Sequence, residues 1–303
     1  MDDALRAAVA AALTAVGEPD CVGFAARGRS GGLHRTWLVS TASGRRWFVK
    51  SSPAAPRDQF PAEAHGLELL AGAGALRVPR PAIAGGPPPF LLMEAIATGR
   101  PGPGFAETLG RGLAELHRRT GAGPSGERSG GAYGLDRDNY LGTSPQPNGW
   151  SRDWPGFVRQ RRLGPQLARA REAGRSDPEL DRLGDRVLKR LAALLAGPDE
   201  PACLLHGDLW SGNVLADGAG APVLIDPACW YGRREAELGM MLLFGGFSQR
   251  CWDAYAEAWP LEEGWRRRSE VFVAYHLLNH LNLFGRGYRQ ACVESLERLA
   301  RAA

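Results

Sequence analysis

Apolar residues at the start of the chain recur every fourth position, with Leu5, Val9 and Leu13 on one face of an alanine-rich segment, residues 3–16. That spacing predicts an amphipathic helix, capped by Asp2 or Asp3 and stopped at Gly17. From residue 21 to 51 the period shortens to two. Apolar and polar positions alternate through 22–26, 33–41 and 47–50, with glycines at 28, 31 and 32 and a Ser43-Gly44 turn between them, which predicts strand, glycine loop, strand, hairpin, strand. The helical period returns over 59–71, where Glu63, Leu67 and Leu70 share a face and Gly72-Ala73-Gly74 sets the boundary. A proline-rich stretch, 78–89, leads into Phe90-Leu91-Leu92-Met93-Glu94, predicted to be a buried edge strand. Beyond it the pattern is mainly helical: 106–119 with Leu109, Leu113 and Leu116, then 154–173 and 178–195. From residue 251 a stripe of Trp252, Tyr255, Trp259, Phe272, Tyr275, Phe284 and Tyr288 is expected to be core. Between these helices lies a Gly-, Ser- and Pro-rich stretch, 120–150, of a length usual for a functional loop.

Chemistry-bearing residues concentrate in Leu205-His206-Gly207-Asp208-Leu209-Trp210-Ser211-Gly212-Asn213 and in Val223-Leu224-Ile225-Asp226-Pro227. Short apolar segments, 213–216 and 222–225, flank the turn 217–220, so a hairpin would bring Asn213 and Asp226 side by side. Phosphoryl transfer needs a carboxylate to take the acceptor hydroxyl proton, and oxygen ligands to hold Mg²⁺ on nucleotide phosphates. Asp208 fits the first role; Asn213 and Asp226 fit the second. The spacing Asp-x₄-Asn matches the protein-kinase catalytic loop, with Gly207 where that loop has arginine. An isolated His-Gly-Asp is an ordinary turn, and it is the register with Asn213 and Asp226 that gives it content.

Of 37 basic residues, only Lys50 and Lys189 are lysines. Lys189 sits in a helical pattern where any exposed base would serve. Lys50 ends the strand Trp47-Phe48-Val49, where a compact ammonium meets a phosphate pair as guanidinium would not. A carboxylate of the following helix is expected to pair with it: Glu63, on the inward face, rather than Glu68. The loop containing Gly31 and Gly32 lies one hairpin before Lys50 and could offer backbone N–H groups to phosphates, although the strict Gly-x-Gly-x-x-Gly is absent. A hinge is placed at 95–99, with the backbone around Met93, Glu94 and Ile96 reading an adenine edge.

The remaining totals mostly exclude. A net charge of +4 is modest, and the arginine clusters 159–162 and 266–268, without interleaved aromatics, are read as solvated helix faces, so no nucleic-acid partner is expected. Five cysteines in odd count, without paired spacing, argue against a disulfide framework or a zinc site. No apolar run reaches membrane-spanning length and the start is acidic, so the expectation is a cytoplasmic chain.

With these residues in place, the chain resembles the fructosamine kinases (ketosamine 3-kinases), in the wider protein-kinase-like group that includes aminoglycoside and choline phosphotransferases. The resemblance covers nearly the whole chain and is most specific at 133–140, 162–167, 206–213, 226–232 and 276–285. It implies an α+β bilobal protein-kinase-like fold, with a small β-rich N-terminal lobe (1–95) and a large mainly α-helical C-terminal lobe (96–303). It also implies ATP and Mg²⁺ as cofactors and phosphorylation of the 3-hydroxyl of ketosamines, either small adducts or glycated protein lysines, leading to deglycation. Carried over, Lys50, paired with Glu63, would hold the α/β-phosphates of the nucleotide, Asp208 would be the base, Asn213 and Asp226 would bind metal, and Trp210 would be a platform for the sugar. A monomer is favoured.

The sequence departs from the family at Ser30-Gly31-Gly32-Leu33-His34, which lacks the usual glycine-loop text and its cysteine. Glu237 stands where relatives usually carry aspartate, and is expected to brace the catalytic loop. Asp226-Pro227 replaces the Asp-Phe-Gly of protein kinases, so no phosphorylation switch of that kind is expected. Two alternatives share the five polar residues: a kinase of aminoglycosides or other small alcohols, and a nucleotide-binding pseudokinase without turnover.

Overall fold

In the computed structural model, which describes residues 1–30, 34–121 and 132–302, helix α1 spans Asp3–Ala15 and the Asp2 carboxylate accepts from the Leu5 N–H at 2.9 Å. This N-cap satisfies one of the donors that a first helical turn leaves open. Leu5, Val9 and Leu13 are buried and pack with Trp37, Val39, Val49, Phe90 and Leu92 from the adjoining sheet. That sheet contains β1 (Cys21–Ser30), β2 (His34–Thr41), β3 (Arg46–Ser51), β4 (Pro81–Gly85) and β5 (Phe90–Glu94), in the antiparallel order β1-β2-β3-β5-β4. Helix α2 (Gln59–Ala73) follows β3.

Two readings of this region change. The strand Phe90–Glu94 is not an edge strand: it lies between β3 and β4, which is why it is apolar throughout. The edge is β4, drawn from the proline-rich segment; it starts at Pro81, and a residue without an N–H is tolerated at the start of an edge strand. The glycine loop is also shorter than expected. β1 runs on through Gly28, Arg29 and Ser30, which register with Thr36, Arg35 and His34 after a shift at Ala26/Gly28. Gly31 and Gly32, the expected phosphate donors, lie outside the described residues.

The chain divides into two compact units, Met1–Phe105 with Val214–Pro227, and Ala106–Asn213 with Ala228–Ala303. The second begins within α3 (Phe105–Thr120) and includes a short hairpin, β6 (Asn139–Leu141) and β7 (Ser144–Gln146), inside the stretch read as loop. The helix expected at 154–173 is interrupted: α4 (Trp154–Phe157), a π-helical turn (Val158–Leu163), then α5 (Gly164–Glu172). Pro165 explains the break, because it cannot donate to the Arg161 carbonyl four residues back. The Arg162 guanidinium donates to that carbonyl instead, at 2.8 Å.

Next come α6 (Pro178–Leu194) and β8 (Cys203–Leu205). The chain then crosses into the first unit as the hairpin β9 (Val214–Ala216) and β10 (Pro222–Leu224), whose Leu224 N–H donates to the Arg77 carbonyl. It returns as β11 (Trp230–Gly232), paired with β8. The second unit ends with α7 (Glu235–Phe244), α8 (Gln249–Ala258), α9 (Trp265–Phe284) and α10 (Arg289–Arg301).

The arginine clusters are only partly solvated. Arg162 is fully buried, with its guanidinium 4.0 Å from the Trp230 ring centroid, donating to the Pro147 carbonyl and the Asn148 side chain. Arg268 is buried in a bidentate pair with Glu235. Among the described residues, no helix is long and apolar enough to cross a membrane.

Candidate active site

Strand β3 alternates, so Val49 enters the core with α1 while Lys50 projects from the other face. Lys50 is 3% exposed, and its Nζ donates to both Glu63 carboxylate oxygens at 2.9 Å. Asp226 Oδ1 lies 3.3 Å from the same nitrogen. Burial pulls the lysine pKa down, but the two carboxylates outweigh it and raise it, so the ammonium stays charged. Glu63 is pushed up by burial and by Asp226, against the pull of Lys50. Glu68, one turn on, is exposed.

Asp226 follows the hairpin β9–β10 with φ +56°, the only positive value at a non-glycine among the described residues. Left-handed backbone is sparsely populated outside glycine and is found preferentially at functional sites. The hairpin is fixed within its unit. Asp217 Oδ1 accepts from the Ala219 and Ala221 N–H groups, and Asp217 Oδ2 from Arg77, which also binds Glu94. At the expected hinge, Met93 is buried, and the N–H groups of Glu94 and Ala95 donate to the carbonyls of Arg80 and Arg46.

In the second unit, the loop after β8 is held from below. The Glu237 carboxylate, fully buried on α7, accepts from the His206 N–H and from the Gly207 N–H at 3.2 Å. His117 backs it: Nε2 is 3.9 Å from Glu237, and Nδ1 is 2.9 Å from the Tyr255 hydroxyl. Burial lowers the His117 pKa, against the pull of Glu237. Gly207 has φ +83°, and a Cβ there would stand 2.1 Å from the Ala228 carbonyl oxygen. No arginine can occupy that position, which accounts for the departure from the protein-kinase loop.

Asp208 follows, half-buried, its N–H donating to His206 Nδ1 at 3.3 Å. Asn213 Nδ2 donates to the Asp208 carbonyl at 2.8 Å and to its carboxylate at 3.3 Å, which turns the amide oxygen to the opposite side. The Trp210 ring folds over Gly212, where a Cβ would come within 2.2 Å of it. Among the described residues, no group of three or more His, Cys, Asp or Glu forms a metal cluster.

One feature of the site had no role in the sequence reading. Gln146 donates to the Ala228 carbonyl and Asn139 to the Cys229 carbonyl, pinning the chain just after Asp226-Pro227. Asn139 also accepts from Gln146 and Asn148, and Gln146 accepts from Tyr275. Asn279 and Asn282, which interrupt the apolar face of α9, form a second buried polar group with Gln166.

The fold defines the class. An aminoglycoside phosphotransferase mutant, solved as a ternary complex with ADP and hygromycin B, superposes with a TM-score of 0.61 at 14% identity, covering 96% of this chain and 98% of its own. The fold shared is the protein-kinase-like one. Sequence carries the assignment further, since the fructosamine kinase profile matches residues 12–302, and the chain belongs to that family of phosphotransferases. The chloroplastic protein-ribulosamine 3-kinase of Arabidopsis thaliana is 39% identical over 254 residues, covering 83% of this chain and 75% of the relative. A crystal structure of a candidate fructosamine-3-kinase from Thermobifida fusca matches with a TM-score of 0.84 at 36% identity, covering 100% and 99% of the two chains.

Proposed function

We propose that this protein transfers the terminal phosphoryl group of ATP to the sugar 3-hydroxyl of ketosamines, the adducts left on amines by glycation, and so initiates their removal. The observation that carries this reading is the loop 206–213, where Asp208 is oriented by Asn213 and stands two residues from the Trp210 ring. Family membership supports it, as does the name of the Arabidopsis relative.

In this reading Asp208 accepts the 3-hydroxyl proton as that oxygen bonds to phosphorus and the bond to the ADP oxygen breaks. Trp210 offers its face to the sugar's C–H groups. Lys50, kept charged by Glu63 and Asp226, meets the nucleotide phosphates, and the Glu94 carbonyl with the Ile96 backbone reads the adenine edge. The residues present fit Mg²⁺: Asn213 presents an amide oxygen and Asp226 a carboxylate, an all-oxygen set suited to a hard cation. Mg²⁺ held there would neutralise phosphate charge. Glu237 is a positioning residue, acting through the His206 and Gly207 amides.

The test is incubation with ATP, Mg²⁺ and a ribulosamine or fructosamine, following ADP release and the position of the new phosphate by phosphorus NMR. Ketosamine-dependent ADP and a 3-phosphate are expected. Turnover of aminoglycosides alone would move the protein to the small-alcohol kinases, and no turnover with any alcohol would leave a nucleotide-binding pseudokinase.

A further inference from the structure

The aromatic stripe of the C-terminal helices is not all core. Three large apolar side chains stand exposed among the described residues, Val22, Phe244 and Phe284, and two of them belong to one row of rings. The row starts at Trp210, whose ring centroid is 6.1 Å from that of Phe244 at 65°. Phe244 is 4.9 Å from His280, and His280 is 5.4 Å from Phe284 and 5.1 Å from Tyr288. These are edge-to-face and tilted spacings in which neighbouring rings support one another. Phe244 and Phe284 nevertheless leave 41% and 49% of their surface in solvent. Packing alone gives no reason to expose two phenylalanines against one histidine ring, and a clustered apolar patch marks a binding surface.

The row is fixed to the catalytic loop. Phe244 is the last residue of α7, and the chain then turns through Gly245 and Gly246, both with positive φ. A Cβ on Gly246 would lie 2.4 Å from Ser211 Oγ, so the turn seats directly against the residue after Trp210. At the centre, His280 Nδ1 donates to the His276 carbonyl, and burial lowers its pKa, leaving a neutral ring. The rings of the row are therefore uncharged and rich in π faces, and the row begins two residues from the proposed base.

We propose that the row Trp210, Phe244, His280, Phe284 and Tyr288 receives the amine-side group of the ketosamine, and that it selects adducts of amines bearing aromatic or bulky apolar groups. This rests on the ketosamine reading above and specifies its substrate class. A ketosamine carries a secondary ammonium between the sugar and its amine substituent. With the sugar on Trp210 at Asp208, that ammonium falls over ring faces, where a cation is attracted, and the substituent continues toward Phe284.

The experiment compares kcat/KM for two ketosamines that share a sugar, 1-benzylamino-1-deoxy-ribulose and 1-methylamino-1-deoxy-ribulose. The parent is expected to favour the benzyl adduct by about five-fold, the scale of one or two ring contacts. In Phe284→Ala and in Phe244→Ala the ratio should fall toward one, while Phe284→Tyr should retain it; circular dichroism checks that each variant is folded. A parent ratio near one, or a ratio unchanged in both alanine variants, overturns the aromatic platform and leaves the ketosamine reading standing. Failure to consume either adduct overturns both.

Discussion

Lys50 shows how much one residue can carry. A lysine at the end of an apolar strand, in a chain with one other lysine among its basic residues, is placed between two carboxylates, with Glu63 chosen over Glu68 by the inward face of its helix. Removing that ammonium leaves two carboxylates facing each other with no cation. Lys50→Met is expected to lower the unfolding free energy by about 3 kcal/mol, the cost of breaking a buried pair. Urea unfolding measures this, and a loss below about 1 kcal/mol would show that the pair is dispensable to the fold. Asp208 differs in being half-exposed, and in the mechanism proposed above it acts in transfer. Asp208→Asn should lower kcat by about 10²- to 10⁴-fold while ATP binding, read by calorimetry, is retained. Parent-like turnover would remove Asp208 from the mechanism.

At the level of elements, α7 organises the loop that carries Asp208. Its first turn places Glu235 on Arg268 and Glu237 on the His206 and Gly207 amides, while its last residue, Phe244, meets Trp210. Acidic residues in a first turn also suit the positive end of the helix dipole. Charge-assisted hydrogen bonds of this kind are strong, and Glu237→Gln would present an N–H₂ group where two backbone donors converge. That variant should lose kcat by about ten-fold or more with the KM for ATP little changed. A change confined to KM, or to thermal stability, would deny Glu237 its positioning role. The interrupted helix from Trp154 to Glu172 is a second case: the π turn imposed by Pro165 turns Arg162 inward, onto Trp230 and the carbonyls it serves.

For the molecule as a whole, buried histidines contribute to the response to acid. His276 is 3% exposed and burial pushes it down to about 3, while His117 and His280 are lowered for the same reason. An unfolded histidine titrates near 6.5, so between the two values the unfolded chain binds the proton and the folded one does not. For His276, stability from this source is complete above about pH 6.5 and falls as the pH drops toward 3, by up to about 1.4 kcal/mol per pH unit, and the lowered His117 and His280 add in the same direction. The urea midpoint should therefore fall between pH 7 and pH 4.5, and less steeply in His276→Leu. An equal slope in that variant would place the acid sensitivity elsewhere.

What depends on local periodicity and on the order of residue types is legible along the chain alone. The helix at α1, the strand that ends at Lys50, the choice of Glu63 and the hairpin before Asp226 all follow from spacing along the chain. The loop 206–213 was legible for the same reason, since its polar residues lie within eight positions of one another. Tertiary structure alone decided which strand forms the sheet edge, because pairing of β3 with β5 depends on chain far apart in sequence. It also decided where charge is buried. Arg162 and Arg268 read as surface because each lies in a cluster of arginines, yet rings, carbonyls and Glu235 from other segments enclose them. The same holds in reverse for Phe284, which periodicity places in the core and the end of α9 leaves in solvent. Composition and period fix which face of an element is apolar, whereas the partner that covers that face is fixed only by packing.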